Sequence, residues 1–283
     1  MAADVITTLT LRGDDVPMAA VWKRLATAVV GIPAFVALVL EGPALLFGVL
    51  VVALGAGAAW ELARMFHRAG RAVHPMLATV ATAIVIASFL VPGGAAVALA
   101  LALVVALSAS LWVPTTHSAE FSATTVLTLT YVGWLLGHAV LVRDLPSGAQ
   151  LVIFLTGVTW AGESSAYAVG STLGRHKLAP AISPGKTIEG AIGQVVASVI
   201  AAALLAAWLL PEWALPRACG AGVLLGVAGQ FGDLAESTMK RSLGTKDTGG
   251  LLPGHGGILD RLDGLLFNAP VLFYYVRAVG VGA

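Results

Sequence analysis

The sequence predicts an all-α, polytopic integral membrane protein, and three observations support this fold class. Of the 283 residues, 58% are hydrophobic and 11% are charged, whereas soluble domains carry about 25% charged residues. Apolar segments of about 20 residues, the length of a helix that crosses a bilayer, recur along the chain. The polar loops between them are too short to fold as separate domains. Because backbone groups in lipid must pair internally, the apolar segments are expected to be helices.

Nine membrane-spanning helices are predicted from these segments. In order along the chain they cover residues 24–41, 44–63, 75–92, 94–113, 120–142, 149–170, 187–210, 215–235 and 262–280. Pro92, Gly93 and Gly94 predict a tight hairpin between the third and fourth spans. The eighth span is expected to continue beyond the membrane as a polar helix to about Arg241.

The distribution of Lys and Arg predicts a cytoplasmic N-terminus. With that orientation thirteen of the sixteen basic residues lie inside, and only Arg143, Arg217 and Arg277 lie outside, as the positive-inside rule requires. The two long polar stretches, residues 171–186 and 236–261, then share the cytoplasmic side, where nucleotides are available. We therefore expect a multi-pass protein of the inner (cytoplasmic) membrane whose active site faces the cytoplasm.

Residues 233–263 hold five of the fifteen carboxylates and four of the sixteen basic side chains. A helix would place four polar residues of this stretch on one face, at spacing i, i+3, i+4 and i+7: Asp233, Glu236, Ser237 and Lys240. An ordinary solvated helix face would look similar. Asp233 directly follows an apolar run, however, and ionisable groups near membrane depth are costly and tend to be functional.

Asp260 and Asp263, spaced i, i+3 at the start of the last span, form a second acidic feature. Together with Asp233 they could make an all-oxygen site suited to Mg²⁺. The alternative is that they are acidic residues favoured by the helix dipole at an N-terminus. Cys219 is the only cysteine, which excludes a cysteine-based zinc site. Whether a second, monovalent cation accompanies Mg²⁺ is left open by the sequence.

A glycine-rich loop connects the two acidic features. Its glycines let backbone N–H groups approach an anion closely, and they are Gly244, Gly249, Gly250, Gly254, Gly256 and Gly257. With the basic side chains of Lys240, Arg241 and Lys246, the loop is typical of a polyphosphate cradle. It is not a Walker loop, because the pattern GxxxxGK[ST] does not occur.

A second polar cluster, Gly174 to Gly190, reads GRHKLAPAISPGKTIEG. Arg175, His176, Lys177 and Lys186 supply positive charge, and Ser183 lies in a predicted turn. Lys186 and Thr187 lead into the seventh span, and Glu189 lies one turn inside it. Positive-inside topology with attraction to anionic lipid would explain the charge alone. The shared cytoplasmic side favours a substrate site. Elsewhere, Glu163 is expected to face the bundle interior, and Glu61 is expected to be interfacial.

Several motifs resemble the signature of the phosphatidate cytidylyltransferase (CDP-diacylglycerol synthase) family. They are Ser237-x-x-Lys240-Arg241, Lys246-Asp247, Pro253-Gly-His255-Gly-Gly and Asp260-Arg261-x-Asp263, and the Gly174 to Gly190 cluster resembles the family's second hallmark. The N-terminal spans resemble the family in hydropathy alone. The sequence departs from the family at Glu163, where Asp is usual, and near Ser165, where Gly is usual.

The resemblance implies that CTP and phosphatidate react to CDP-diacylglycerol and pyrophosphate with Mg²⁺, in a membrane-embedded homodimer with no nucleic-acid partner. The family's metal-binding acids correspond to Asp233 and Asp260, with Asp263 beside them. The residues expected to carry the reaction are Asp233, Lys240, Lys246, Asp260 and Asp263. Those expected to contact the substrates are Arg175, Lys177, Ser183, Lys186, Thr187, Glu189, Ser237, Arg241, Asp247, His255, Gly256, Gly257 and Arg261.

On this basis the chain divides into a cytoplasmic segment 1–23, an N-terminal group of helices 24–142, and a catalytic membrane region 143–283. Two other functions are compatible with the composition. A CTP-dependent lipid or polyprenol kinase would transfer only the γ-phosphate of CTP. An ion-coupled transporter would place its carboxylates at mid-membrane in paired repeats, whereas here they crowd one face and no repeat is visible.

Overall fold

The computed structural model describes residues 18–249 and 257–280, with side chains from Val29 onward. The helices are α1 Met18–Glu41, α2 Ala44–Arg68, α3 Pro75–Ser88, α4 Gly94–Ala109, α5 Thr115–Thr128, α6 Leu135–Arg143, α7 Gly148–Leu173, α8 Ile188–Leu209, α9 Leu215–Ser242 and α10 Leu259–Val279. A 3₁₀ turn, Ser110–Trp112, follows α4, and a π-helical stretch, Leu129–Trp134, joins α5 to α6. The all-α prediction is confirmed.

Each of the nine predicted spans falls on one of these helices or on the continuous α5–α6 unit. Among the described residues, five stretches are able to cross a membrane by length and composition: Ala44–Arg68, Gly94–Trp112, Thr115–Arg143, Ile188–Leu209 and Leu215–Ser242. The helix α3 has 14 residues, which is about 21 Å, against a hydrocarbon core of about 30 Å. The count of nine spans therefore stays a prediction.

Local sequence explains several of the helix boundaries. Gly93 has φ 73°, a left-handed conformation that glycine adopts without strain, and it makes the predicted hairpin between α3 and α4. His74 caps α3, because its Nδ1 accepts a hydrogen bond from the Leu77 N–H at 3.2 Å. Thr187 caps α8 in the same way, with its hydroxyl accepting from the Gly190 N–H at 3.1 Å.

A small antiparallel hairpin, β1 Lys177–Ala179 and β2 Ser183–Thr187, lies between α7 and α8. The sequence predicted a turn here but no strands. The hairpin pairs Lys177 with Thr187 and Ala179 with Ser183, so that the basic cluster is held as an ordered element at the end of the helix bundle.

The C-terminal helices α7, α8, α9 and α10 pack against one another and form the part of the bundle that carries the site. Glycines allow α9 to approach α8 closely. A Cβ on Gly222 would lie 2.7 Å from Val199 Cα, and one on Gly226 would lie 2.9 Å from Val195 Cα. Small residues at such crossings are typical of membrane helix pairs, where the backbones come close together.

The helix α4, in contrast, packs little against the other helices: it is apolar all round and leaves most of its surface exposed. Its only buried residues are Ala102 and Ala106, while Val97, Leu101 and Val104 are each about 60% exposed. A wholly apolar, largely uncovered helix fits contact with lipid rather than with water.

The α8–α9 crossing makes a testable prediction. Gly222→Ala should lower the free energy of unfolding by about 1–3 kcal/mol, because its Cβ would be forced against the α8 backbone. Thermal unfolding of the detergent-purified protein measures this change. Gly31→Ala in α1 is the matched control, since nothing lies within 4 Å of its Cβ position. Equal unfolding midpoints for the two variants would contradict the close crossing.

Candidate functional site

The C-terminal end of α9 carries four polar residues on one face, as the spacing predicted. The helix extends to Ser242, and along this face the Ser237 hydroxyl approaches Asp233 Oδ1 at 3.5 Å. One turn further, Lys240 Nζ donates to Glu236 Oε2 at 3.0 Å. The Glu236 carboxylate is 1% exposed, so this ion pair is shielded from water, and the face is not an ordinary solvated helix surface.

Asp260, in the first turn of α10, connects α9 with both ends of residues 248–257, the part of the loop called the glycine-rich segment below. Its Oδ1 accepts from Lys240 Nζ at 2.8 Å. Its Oδ2 accepts from the Thr248 hydroxyl at 2.8 Å and from the Gly257 N–H at 3.2 Å. Thr248 is 3% exposed. The side chain of Asp260 is therefore engaged with groups of the protein through both of its oxygens.

Three carboxylates form a compact acidic cluster, which consists of Asp233, Glu236 and Asp263. One oxygen of each lies within 4.8 Å of the others. The helices approach closely at Gly232, where a Cβ would collide with the carbonyl oxygen of Asp263. The residue before Asp233 must therefore be small, because this close approach brings the carboxylates of α9 and α10 together.

The acidic cluster fits a divalent cation. Carboxylate oxygens are the ligands that Mg²⁺ prefers, and within the described ranges no donor reaches Glu236 Oε1, which is shielded from solvent. A buried acceptor without a donor is costly, and a bound cation would satisfy it. The cluster differs from the predicted set, because Glu236 stands where Asp260 was expected. That Asp260 itself binds metal stays a prediction.

The basic hairpin reaches the same cluster. Lys186, in β2, places its Nζ 2.7 Å from Asp233 Oδ1, and its side chain is 17% exposed. On the other side of the hairpin, Arg241 of α9 donates through Nε to the Ile182 carbonyl at 3.0 Å. Its Nη1 donates to the Thr245 carbonyl at 3.2 Å. The two polar regions of the sequence thus meet in space, with lysines from both beside the carboxylates.

Glu189 organises the start of the hairpin. Its carboxylate accepts from the backbone N–H groups of Arg175 and His176 at 3.1 and 3.2 Å. It also lies 2.6 Å from His176 Nδ1. These contacts hold the chain between α7 and β1 against the first turn of α8. Contact of Glu189, Thr187 and Arg175 with a substrate stays a prediction.

The remaining predicted residues have exposed or partly exposed side chains, and their contact with a substrate stays a prediction. They are Lys177, Ser183, Lys246, Asp247 and Arg261. His255 and Gly256 lie outside the described residues. Gly257 is described and serves as a backbone donor to Asp260 Oδ2.

A cavity of about 320 Å³ opens beside the acidic cluster, between α7, α8, α9 and β2. Asp233 and Lys186 border it on the polar side, and Glu163, Tyr167 and Gln194 continue its wall along the helices. The Tyr167 side chain is 81% exposed. The cavity therefore joins the charged groups to the outer surface of α7 and α8.

Glu163 lines this cavity and contacts the α10 backbone, because a Cβ on Gly264 would collide with its Oε1. It lies within electrostatic range of Asp263 and Asp233. The expectation that Glu163 faces the bundle interior is therefore confirmed. The signal was a lone carboxylate within an apolar span.

That Glu61 is interfacial stays a prediction, but its environment was missed. It is 3% exposed, and its Oε2 accepts from the Leu259 N–H at the start of α10, 3.0 Å away. The helix α2 continues two turns beyond Glu61, to Arg68. Thr248 was also missed, because a threonine in a polar loop carries no signal of burial.

The chain is similar to several known proteins. The model of the cytidylyltransferase family matches residues 22–279. The chain is 33% identical over 263 residues to a phosphatidate cytidylyltransferase of Bacillus subtilis (strain 168), covering 89% of this chain and 96% of the relative.

Two other relatives match over a shorter range. The chain is 44% identical over 153 residues to the uncharacterized protein YnbB of Escherichia coli (strain K12), covering 54% of this chain and 50% of the relative. It is 37% identical over 147 residues to a phosphatidate cytidylyltransferase of Staphylococcus saprophyticus, covering 52% and 56%. The chain thus spans about half the length of these two relatives.

The acidic cluster makes a prediction that does not depend on turnover. Glu236→Gln should weaken binding of Mg²⁺ or Mn²⁺ at least about tenfold, since losing even an outer-shell partner of a metal ligand costs that much. Cation-dependent thermal stabilisation of the purified protein measures the affinity. Asp144→Asn, in the loop between α6 and α7 at the other end of α7, is the control and should bind as the wild type does. Unchanged affinity in Glu236→Gln would remove Glu236 from the cation site.

Proposed function

The chain belongs to the cytidylyltransferase family, and from this membership and the geometry of the site we propose that it makes CDP-diacylglycerol and pyrophosphate from CTP and phosphatidate. The observation that carries the proposal is the meeting of Lys186 and Lys240, from two separate segments, at one acidic cluster beside a cavity that extends to the exposed Tyr167 on α7. Such a site suits two phosphate-bearing substrates, one of which is a lipid.

The chemistry requires no strong general base, because the phosphate of phosphatidate is already an anionic nucleophile. Its oxygen attacks the α-phosphorus of CTP, a new P–O bond forms, and the bond to the β-phosphate oxygen breaks to release pyrophosphate. Catalysis of such a step consists mainly of positioning and electrostatic stabilisation. The cluster of Asp, Glu and Lys side chains is suited to both tasks.

The divalent cation, for which we propose Mg²⁺, would be held by Asp233, Glu236 and Asp263. When bound, it would supply positive charge for the phosphate oxygens of the substrates. Lys240 bridges Glu236 and Asp260, and this keeps a cationic side chain beside the cluster in a fixed orientation. Lys186 adds a second cation from the opposite side.

We assign the two substrates to different sides of the cluster. The cavity between α7 and α8 leads from Lys186 and Asp233 to the exposed Tyr167, so the lipid phosphate would contact Lys186 while its acyl chains follow the helices. The triphosphate of CTP would lie toward Lys240 and the glycine-rich segment, whose N–H groups suit phosphate oxygens. Lys246, Arg241 and Arg261 are close enough in sequence to assist.

The same proposal includes topology and assembly. The excess of Lys and Arg on one side supports an active site that faces the cytoplasm from the inner membrane. The homodimer implied by the family resemblance is retained as part of the proposal, and cross-linking in native membranes tests it.

The activity is tested with purified protein, phosphatidate, Mg²⁺ and CTP labelled at either the α- or the γ-phosphate. The α-label should enter the lipid product with one pyrophosphate released per lipid, because the cytidylyl group is transferred. Thin-layer chromatography and a pyrophosphate assay follow both products. Transfer of the γ-label to the lipid would identify a kinase, and absence of any turnover would contradict the proposed function.

The two charged partners in the centre of the site should each be required for turnover. Asp260→Asn and Lys240→Met are expected to lower kcat by about 10²–10³-fold, the usual effect of removing one electrostatic group from a preorganised site. Steady-state kinetics on monodisperse protein measure this loss. Arg277→Gln, at the other end of α10, is the charge-removal control and should keep wild-type kcat. Full activity in Asp260→Asn would exclude Asp260 from the reaction.

A further inference from the structure

We propose that Glu61, on α2 in the N-terminal group of helices, is a positioning residue that fixes the start of α10 and both ends of the glycine-rich segment. It touches neither substrate in this account, and it acts through the elements that carry Asp260. Where its effect is read from turnover, the inference rests on the proposed function.

The first contact is with the N-terminus of α10. Glu61 Oε2 accepts from the Leu259 N–H at 3.0 Å, across 198 residues of sequence. The first N–H groups of a helix have no acceptor within the helix, and a carboxylate at this end is also favoured by the helix dipole. Leu259 is fully buried, so water does not replace Glu61 as the acceptor.

The second contact is with the two ends of the glycine-rich segment. A Cβ on Gly249 would lie 2.7 Å from Glu61 Oε1, and a Cβ on Gly257 would lie 2.7 Å from Oε2. The carboxylate therefore fits against the bare backbone at both positions. Any side chain there would displace it, which explains why glycine is needed at the points where the segment begins and ends.

The same segment ends are bound from the other side by Asp260. Its Oδ2 accepts from the Thr248 hydroxyl and the Gly257 N–H, and its Oδ1 pairs with Lys240. Two carboxylates thus hold one backbone region: Asp260 connects it to α9, and Glu61 connects it to α2. Loss of Glu61 would release this backbone region from α2 and let Asp260 shift relative to Lys240.

The burial of Glu61 indicates that its carboxylate has specific hydrogen-bond partners. Glu61 is 3% exposed within a helix whose neighbours Leu62 and Ala63 are fully buried apolar residues. A buried carboxylate is tolerated only where hydrogen bonds compensate for its lost hydration. Ile258, which precedes the bonded Leu259, also packs onto α2, with its Cδ1 at 2.5 Å from a Cβ position on Gly57.

Three variants distinguish a positioning role of Glu61 from a general contribution of Glu61 to the stability of the protein. Glu61→Ala removes the acceptor, and Glu61→Gln keeps an oxygen that can accept from the Leu259 N–H. Glu120→Ala is the matched control, because Glu120 Oε2 also accepts a distant backbone N–H, that of Ala72 at 3.4 Å, but belongs to α5. The readouts are hydrogen–deuterium exchange of the peptide 257–264 and steady-state kinetics of monodisperse protein.

In Glu61→Ala we expect exchange of the peptide 257–264 to rise by at least about tenfold, because the cap of the first turn is lost. The kcat should fall by about 10- to 100-fold, the effect of losing a hydrogen bond to a charged group. The KM for phosphatidate should stay within about twofold of the wild-type value, since Glu61 does not contact the lipid cavity. Glu61→Gln should recover most of the protection and of kcat, and Glu120→Ala should change neither.

Two results would overturn the proposal. One is wild-type protection of the peptide 257–264 in Glu61→Ala. The other is a less stable Glu61→Ala protein whose folded fraction keeps wild-type kcat, which would mean a structural role alone. If the wild-type protein turns over no CTP, the proposed function fails, and the exchange comparison still decides whether Glu61 orders the start of α10.

Discussion

Mutual repulsion among Asp233, Glu236 and Asp263 is the constraint on which the structure of the site depends. Two like unit charges 4 Å apart repel by about 4 kcal/mol at an effective dielectric constant of 20, and here three carboxylates have oxygens within 4.8 Å of one another. Cations beside the cluster offset this repulsion. Lys186 and Lys240 supply two positive charges from the protein, and a divalent ion would add two more.

The helix packing serves this arrangement. Along α9, glycines face α8 at Gly222 and Gly226 and face α10 at Gly232, and at each position a Cβ would collide with the neighbouring helix. The resulting close approach brings carboxylates from α9 and α10 to one place, beside the cavity lined by α7, α8, α9 and β2. The N-terminal helices contribute through α2, because Glu61 and Gly57 receive the first residues of α10. They are thus more than a membrane anchor.

Much of this organisation was predictable from local sequence, whereas the detailed partners were not. Hydropathy located the helices, and the spacing from Asp233 to Lys240 correctly predicted one polar face, because both depend on residues near in sequence. The exchange of Glu236 for Asp260 in the acidic cluster was not predictable. Asp260 is drawn away by Thr248 and the Gly257 N–H, and these partners depend on how the loop folds back.

The partner of Glu61 was even less predictable, because it is 198 residues away and no local pattern identifies a carboxylate that is buried against a distant helix.

The most direct test of the account is the position of Mn²⁺ in anomalous difference density from crystals grown with the ion. We predict one peak in contact with Asp233, Glu236 and Asp263. A peak coordinated by Asp260 and not by Glu236 would contradict the acidic cluster as the cation site.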